Sequence, residues 1–118
     1  MINLSFALEV LEQFGGKFFI ERNMGASSFH ATDDYLGFGF SKTAKNGANH
    51  ISFERDVGGY ITVTFWRIAG KDSGQVSSRK GVFFTDLFSY VEGETGLDLD
   101  WSPKFEKHRT TYIHKKQG

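Results

Sequence analysis

Residues 51–68, ISFERDVGGYITVTFWRI, carry the clearest structural signal in this chain. Two runs rich in β-branched and aromatic residues, ISFERD and YITVTFWRI, flank Val57-Gly58-Gly59, and this pattern predicts a β-hairpin. In the second run Ile61, Val63 and Phe65 share one face of the strand. The opposite face is not purely polar, so we expect a helix or a partner to cover it; its residues are Tyr60, Thr62, Thr64 and Trp66.

Further strands are predicted on the N-terminal side of this hairpin. The runs KFFIER at 17–22 and SSFHAT at 27–32 are β-prone, and YLGFGF at 35–40 alternates strictly. This alternation is typical of a half-buried strand, with one apolar face formed by Leu36, Phe38 and Phe40.

Apolar residues spaced three and four apart predict two helices, at about 3–14 and 83–92. The stripes are Leu4, Ala7, Leu8, Leu11 and Phe14 in the first helix and Phe84, Leu87, Phe88 and Val91 in the second. Between the hairpin and the second helix, the Gly/Ser/Lys-rich stretch 69–81 predicts a mobile loop. Alternation of apolar and acidic residues over 97–101 predicts a final strand or extended segment.

Together these elements predict an α+β fold. We expect a single small domain with a mainly antiparallel sheet of about five to six strands and two helices packed on one face. The strands follow one another directly, whereas parallel pairs need long crossover connections, so antiparallel pairing is favoured. Residues 1–103 are assigned to the globular domain and residues 104–118 to a basic C-terminal tail that is partly ordered.

The composition predicts a soluble, cytoplasmic protein. The chain has 118 residues, 13 of them Phe, and no Cys, so it can bury a sizeable core but has no means to form disulfides or thiolate zinc sites. Glu9 and Glu12 interrupt the apolar N-terminal stretch, which argues against a signal peptide or a membrane span. With 14 basic and 14 acidic residues, whole-molecule attraction to nucleic acid or anionic lipid is not expected.

The glycine-containing stretch 37–43, GFGFSKT, lacks the spacing of a phosphate-binding P-loop. Counting back from its Lys-Thr pair, the two glycines that the motif requires would stand at positions occupied by Leu36 and Ser41. We therefore interpret Gly37 and Gly39 as strand residues that let another element approach closely. The alternative is a shallow groove for an extended ligand.

Candidate catalytic and metal-binding residues form no complete motif. Asp98 and Asp100 share a predicted strand face, but the glycine and glutamate of an EF-hand loop are missing at the required positions. The serines occur without a G-x-S-x-G nucleophile elbow. The histidines are too dispersed to indicate a metal site: His30, His50, His108 and His114. We therefore predict no enzyme, no cofactor and no metal. A small hydrolase-type site, gathered from distant residues by the fold, is kept as a third hypothesis.

Charge is unevenly distributed towards the C-terminus. Residues 86–101 contain five acidic residues and no base, whereas residues 102–118 contain five bases and one acid. Segregated charge suits recognition of a charged partner, and Trp is enriched among interface anchors. We therefore expect a non-enzymatic protein-binding module of the inhibitor, antitoxin or immunity type, which binds and blocks a partner protein that carries a basic patch. The predicted contact residues are Glu92, Glu94, Asp98, Asp100, Trp101 and Trp66.

The basic tail supports an alternative function as a nucleic-acid accessory protein, because bases can contact phosphate while an aromatic residue stacks. Its contact residues would be Lys104, Lys107, Arg109, Tyr112, Lys115 and Lys116. In size and overall make-up the chain resembles many phage and bacterial inhibitor proteins, which favours the protein-binding hypothesis. No membrane association is expected, and the chain is expected to be a monomer or a homodimer.

Overall fold

The computed structural model describes residues 3–100 of the chain. The centre of the fold is a five-stranded antiparallel sheet in which strands adjacent in sequence are adjacent in space, in the order β1-β2-β3-β4-β5. The strands are β1 (Ala26–Thr32), β2 (Tyr35–Phe40), β3 (His50–Arg55), β4 (Ile61–Arg67) and β5 (Gly74–Val82). The predicted antiparallel sheet is confirmed.

Three helices accompany the sheet: α1 (Ser5–Glu12), α2 (Lys17–Met24) and α3 (Leu87–Thr95), the last preceded by a 3-10 turn (Phe84–Asp86). The rings of Phe14, just after α1, and Phe53 of β3 lie 6.0 Å apart. Tyr90 of α3 lies 6.1 Å from Phe65 of β4. Both predicted helices are therefore present, as α1 and α3, and they pack on the same face of the sheet. The third helix, α2, was not predicted. Within residues 3–100, no helix has the length and apolar character that crossing a membrane requires.

The predicted hairpin forms between β3 and β4, which pair with their apolar residues on one face. Asp56 closes the turn, because its Oδ1 accepts hydrogen bonds from the backbone N–H groups of Gly58 (2.8 Å) and Tyr60 (3.0 Å). Gly59 has a φ of 86°, which glycine adopts without steric cost. The Gly-Gly pair and the aspartate before it account for the chain reversal.

Residues 17–22 belong to α2, so the strand predicted there is wrong. Gly15 and Gly16, with φ values of 86° and 102°, turn the chain after α1 and allow a second helix to begin. The buried residues of α2 are Ile20 and Met24, which are four positions apart and therefore share a helix face. A short apolar run such as KFFIER suits either a strand or a helix, and packing decides between them.

The mobile loop predicted for residues 69–81 is wrong for most of its length, because residues 74–82 form β5. Nearly all side chains of this edge strand are exposed, so its composition contains little apolar signal. Pairing with β4 holds the strand in place, and the hydroxyl groups of Thr64 and Ser78 lie 3.0 Å apart across that pair. The register shifts in two places, which is a common feature of sheet edges.

Residues 97–100 form no strand, so the strand alternative of the prediction for 97–101 is wrong in its described part. Leu99 is fully buried, and its backbone N–H donates to Glu92 Oε2 at 2.9 Å. Its carbonyl oxygen accepts a hydrogen bond from Asn23 Nδ2 at 3.5 Å. Side chains thus satisfy the backbone groups that a neighbouring strand would otherwise satisfy.

The core lies between the helices and one face of the sheet. Its largest fully buried side chains come from the helical region and from β2, β3 and β4: Phe6, Phe14, Ile20, Met24, Leu36, Phe38, Ile51, Phe53, Ile61, Phe65, Leu87 and Leu99. Within residues 3–100, no helix covers the opposite face of the sheet, which is called the uncovered face below. The cover expected for that face is therefore not supplied by a helix of the described chain.

Candidate functional site

A shallow concave surface, the acidic depression, lies beside the C-terminal half of α3. It has a volume of about 520 Å³ and is lined by two carboxylates, Glu92 and Asp98, with Ser89, Gly93, Gly96 and Leu97. Gly96 ends α3 in the left-handed conformation with a φ of 71°, and its N–H donates to the carbonyl of Glu92 at 2.8 Å. This turn folds the following segment back beside the helix, which places Asp98 near Glu92.

The acidic depression is held in shape by hydrogen bonds of its own residues. The contact between Glu92 Oε2 and the N–H of Leu99 ties the segment after α3 to the helix. Asp98 Oδ1 accepts a hydrogen bond of 3.2 Å from the backbone N–H of Asp100, which fixes the local turn. A Cβ added at Gly93 would meet no atom within 4 Å, so this position leaves the depression open to solvent.

Glu94 lies on a different side of α3 from Glu92, because residues two apart on a helix do not share a face. Burial raises the pKa of Tyr90, one turn before Glu94, and the negative charge of Glu94 raises it further. Arg79 lies over the Tyr90 ring at 5.5 Å and opposes this shift. Glu94 therefore faces the edge of the sheet at β5, away from the acidic depression.

Trp66 lies on the uncovered face, half-buried, and its indole Nε1–H donates to Ser52 Oγ at 3.2 Å. Phe65, the residue before it, faces α3. Successive strand residues point to opposite faces, so Trp66 and the acidic depression lie on opposite sides of the sheet. The structure therefore brings Glu92 and Asp98 together but places Trp66 apart from them.

The remaining predicted contact residues lie outside the described part of the chain. They are Trp101 of the acidic group and all of the nucleic-acid candidates: Lys104, Lys107, Arg109, Tyr112, Lys115 and Lys116. The nucleic-acid hypothesis therefore remains a prediction from the charge of residues 104–118.

A second concave surface, the histidine groove, lies on the uncovered face where β2 passes into the loop at 41–49. Its volume is about 560 Å³. Gly39 forms its floor and Ile68 supplies exposed apolar surface, while Phe40 lines it with its side chain buried in the core. Its polar lining residues are Ser27, Ser28, Ser41, Asn49, His30 and His50. This groove agrees with the alternative interpretation of the glycines, since the absence of a side chain at Gly39 opens it.

Strand pairing brings the two histidines of this groove together. Gly39 pairs with Ser27 of β1 on one side and with His50 of β3 on the other, and His30 of β1 pairs with Gly37. Burial lowers the pKa of His50, and the neighbouring His30 lowers it further. Because an ordinary imidazole is already mostly neutral at pH 7, His50 is neutral there and offers one hydrogen-bond donor and one acceptor.

Sequence reasoning left a meeting of His30 and His50 to the tertiary fold, because the two residues are twenty positions apart. The signal that could have found it is the strand register, which places both residues beside the alternating glycines of β2. Among residues 3–100, no group of three or more His, Cys, Asp or Glu side chains is placed to hold a metal ion. Comparison of the chain with known protein families, curated proteins and solved structures found no match.

Proposed function

We propose that this protein is a non-enzymatic binding module of the inhibitor, antitoxin or immunity type, and that a basic segment of a partner protein binds in the acidic depression. One observation carries the proposal: Glu92 of α3 and Asp98 of the following segment line the same concave surface of about 520 Å³. A Lys or Arg side chain that enters the depression meets both carboxylates. The planar guanidinium of Arg suits such a site best, because it can donate to carboxylates in pairs of hydrogen bonds.

The carboxylate of Glu92 is already ordered in the free protein. Its Oε2 accepts the hydrogen bond from Leu99, whereas a carboxylate offers about four acceptor positions in all. Glu92 can therefore receive a partner's N–H groups without giving up its internal contact. Ordering a side chain on binding costs free energy, so a carboxylate that is held in place beforehand favours association.

The charge around the depression favours the same kind of partner. Residues 92–100 contain four acidic residues and no base, and one cation lies close to them in space, because the side chain of Lys45 packs against Gly96. The four carboxylates outnumber this cation, so this end of the molecule presents a negative field to an approaching protein. Such a field accelerates association with a basic surface, and salt screens the effect over about 8–10 Å at physiological ionic strength. A partner with a basic patch is therefore expected to bind fastest at low salt.

The first prediction concerns charge reversal in this region. Asp98→Lys combined with Asp100→Lys should reduce the association rate with the partner by about tenfold or more at low salt and flatten its salt dependence. The matched control is Glu9→Lys with Glu12→Lys, which changes the net charge equally on exposed positions of α1. The tagged full chain and both variants would be used for quantitative copurification from the cells that encode the protein. Association rates would then be measured with the purified partner.

A partner retained by the wild type and the α1 control after nuclease treatment, and lost by the Asp98/Asp100 variant, supports the proposal. Equal association rates and equal salt slopes for all three proteins would remove the acidic depression as the binding site. Recovery of nucleic acid, or of proteins that disappear on nuclease treatment, would favour the basic tail and the nucleic-acid hypothesis instead.

A further inference from the structure

The histidine groove contains an unusual backbone feature, a β-bulge in the edge strand β1. Between Ser27 and His30 this strand has one residue more than the facing part of β2. Within the bulge Ser28 has a φ of 58°, and among residues 3–100 it is the only non-glycine residue with a positive φ. Left-handed backbone at a non-glycine residue is strained and is found disproportionately at ligand-binding and catalytic sites. Here the bulge places Ser28 among the residues that line the groove.

One polar side chain that lines the groove is held by the protein itself: Asn49 Oδ1 accepts from the backbone N–H of Ile68 at 2.7 Å, and Asn49 Nδ2 donates to the Ile68 carbonyl at 2.9 Å. The other polar side chains of the groove differ from it. Within the described part of the chain, the side chains of Ser27, Ser28, Ser41, His30 and His50 make no hydrogen bond to another protein group. Two pairs of polar side chains elsewhere on the uncovered face are hydrogen-bonded: Trp66 donates to Ser52, and the hydroxyl groups of Thr64 and Ser78 are in contact. Three hydroxyl groups and two imidazoles therefore face one concave surface with their hydrogen-bonding capacity open to solvent or to a ligand.

The charges around the groove favour an anion. No carboxylate is among its lining residues. A smaller adjoining cavity of about 170 Å³ shares Phe40, Ser41 and Asn49 with the groove and is lined by the cations Lys42 and Arg67, also without a carboxylate. Arg67 is positioned by a hydrogen bond from its Nη1 to the carbonyl of Gly47 at 3.2 Å. Hydroxyl groups, imidazoles and two cations thus line two neighbouring cavities that share three residues.

We infer that the histidine groove binds a small organic phosphate, with the phosphate group on the hydroxyl and imidazole side chains and the organic part against Ile68. A phosphate monoester is favoured over a carboxylate because its three terminal oxygens can accept from more of these donors than two oxygens can. An organic substituent is favoured because Ile68 is 52% exposed at the rim. This inference is independent of the proposed partner site, since the groove and the acidic depression lie on opposite faces of the sheet.

This site does not act as a P-loop. In a P-loop, successive backbone N–H groups of a glycine-rich turn surround the phosphate. In β2 the N–H groups belong to the strand ladders with β1 and β3, and Gly39 contributes only the space above it. The donors are side chains drawn from three strands and the following loop, which is why the glycine spacing of GFGFSKT need not match that motif.

The test uses the full chain with isotope-labelled histidine, observed by NMR at pH 7 during titration with phenyl phosphate. The imidazole signals of His30 and His50 should shift in a saturable manner, with a Kd of about 1 mM or tighter. Inorganic phosphate and phenol, titrated separately at matched pH and ionic strength, should each bind at least about tenfold more weakly, because each makes only part of the contacts. His108 and His114 report on the basic tail in the same spectra.

Gly39→Val fills the floor of the groove. A Cβ at this position stands at ordinary contact distances, 3.6 Å from the Asn49 carbonyl oxygen and 3.9 Å from His50 Nδ1, so the fold should tolerate it. The variant should weaken phenyl phosphate binding by about tenfold or more.

Ser28→Gly is a second variant, which keeps the left-handed backbone available, removes one donor and should weaken binding by about threefold to tenfold. Thr62→Val, a near-isosteric change towards the far end of the uncovered face, should bind as the wild type does.

Saturable shifts at His30 and His50 that weaken in folded Gly39→Val and Ser28→Gly, but not in Thr62→Val, support the inference. Three results would overturn it: shifts confined to His108 and His114, equal affinity for phenol or inorganic phosphate alone, or undiminished binding by both groove variants. Because no partner protein is present in this titration, its failure leaves the proposal for the acidic depression untouched.

Discussion

Gly37 and Gly39 occupy the same strand, but their missing side chains have different consequences. A Cβ at Gly37 would stand 2.6 Å from Tyr35 Oη, so the ring of Tyr35 occupies the space above this glycine. A Cβ at Gly39 would meet only ordinary contacts, and the space above it is the floor of the histidine groove. The close approach predicted at these glycines is thus made at Gly37 by a residue of the same strand. The missing side chain thus makes room for the ring of Tyr35 at Gly37, whereas it leaves an open surface at Gly39.

A residue-scale prediction follows from the lowered pKa of His50. The unfolded chain binds a proton at this residue near the ordinary value of 6.5, whereas the folded protein binds it only at lower pH. The unfolded state therefore gains protons first as pH falls, and the folded state loses stability progressively below about pH 6.5. His50→Gln removes this effect. Compared with that variant, the wild type should lose free energy of unfolding between about pH 7 and pH 5 and keep a constant difference above about pH 7.5.

Urea denaturation of both proteins across this pH range measures the difference directly. Other titrating groups contribute nearly equally to both curves, so the difference between the two proteins isolates His50. His30 is the titrating neighbour that adds to the effect, and His30→Gln should reduce it. A difference in free energy that does not change with pH would contradict the lowered pKa.

At the scale of elements, the junction between α2 and β1 determines how the helical layer meets the sheet. Gly25 ends α2 in the left-handed conformation, with a φ of 71°, and its N–H donates to the carbonyl of Glu21 at 2.9 Å. Ser41, at the end of β2, packs against the space where a side chain on Gly25 would be, and its N–H donates to the Gly25 carbonyl at 3.2 Å. The junction therefore needs glycine for its conformation and also for the close approach of Ser41.

Gly25→Ala should reduce the free energy of unfolding by about 2 kcal/mol or more, because it combines left-handed strain with an overlap between the new Cβ and Ser41 Oγ. The matched control is Gly47→Ala. Gly47 has a φ of 82° but no atom within 4 Å of an added Cβ, so only the strain of about 1 kcal/mol applies. Chemical denaturation should rank wild type above Gly47→Ala and Gly47→Ala above Gly25→Ala. Equal losses in the two variants would show that the contact with Ser41 carries no weight.

At the scale of the whole molecule, aromatic residues join the helices to the sheet. The ring of Phe14 lies 6.0 Å from Phe53 of β3 and 6.0 Å from Phe88 of α3, so one side chain links the end of α1 to both other parts of the core. Phe14 is 1% exposed, whereas Phe18 on α2 is 65% exposed. Two phenylalanines only four positions apart therefore differ greatly in what they contribute to stability.

Phe14→Ala should cost about 3–5 kcal/mol, because it removes buried apolar area and leaves a cavity. Domains of this size have a total stability of roughly 5–15 kcal/mol, so the variant should be close to unfolding and melt far below the wild type. Phe18→Ala is the control and should change stability by no more than about 0.5 kcal/mol. Thermal denaturation followed by circular dichroism compares the three proteins. A similar melting temperature for both variants would contradict the assignment of Phe14 to the core.

Local patterns determined the elements whose buried face can be read along the chain. The 51–68 hairpin, the alternation of β2 and the helices α1 and α3 were predicted because burial of one face imposes a period of two or of three to four residues. The stripe predicted for α1 is right only in part, because Leu4 and Leu8 are exposed and Phe6 and Val10 are buried instead. The α+β class and antiparallel sheet follow from their order. For the acidic depression, the charge of residues 86–100 indicated the region but not the residues that meet there.

Only the tertiary structure decided the elements and contacts that depend on a distant partner. Strand β5 is held by pairing with β4 rather than by burial of its own side chains. Helix α2 forms because the packing of Ile20 and Met24 favours a helix over a strand in a short apolar run that suits either. Glu92 and Asp98 meet because a hydrogen bond to Leu99 folds the chain back, and His30 and His50 meet through the register of β2. Hydrogen bonds between strands and from side chains to backbone depend on which segments meet in space. The local composition of one segment does not determine which other segment it meets.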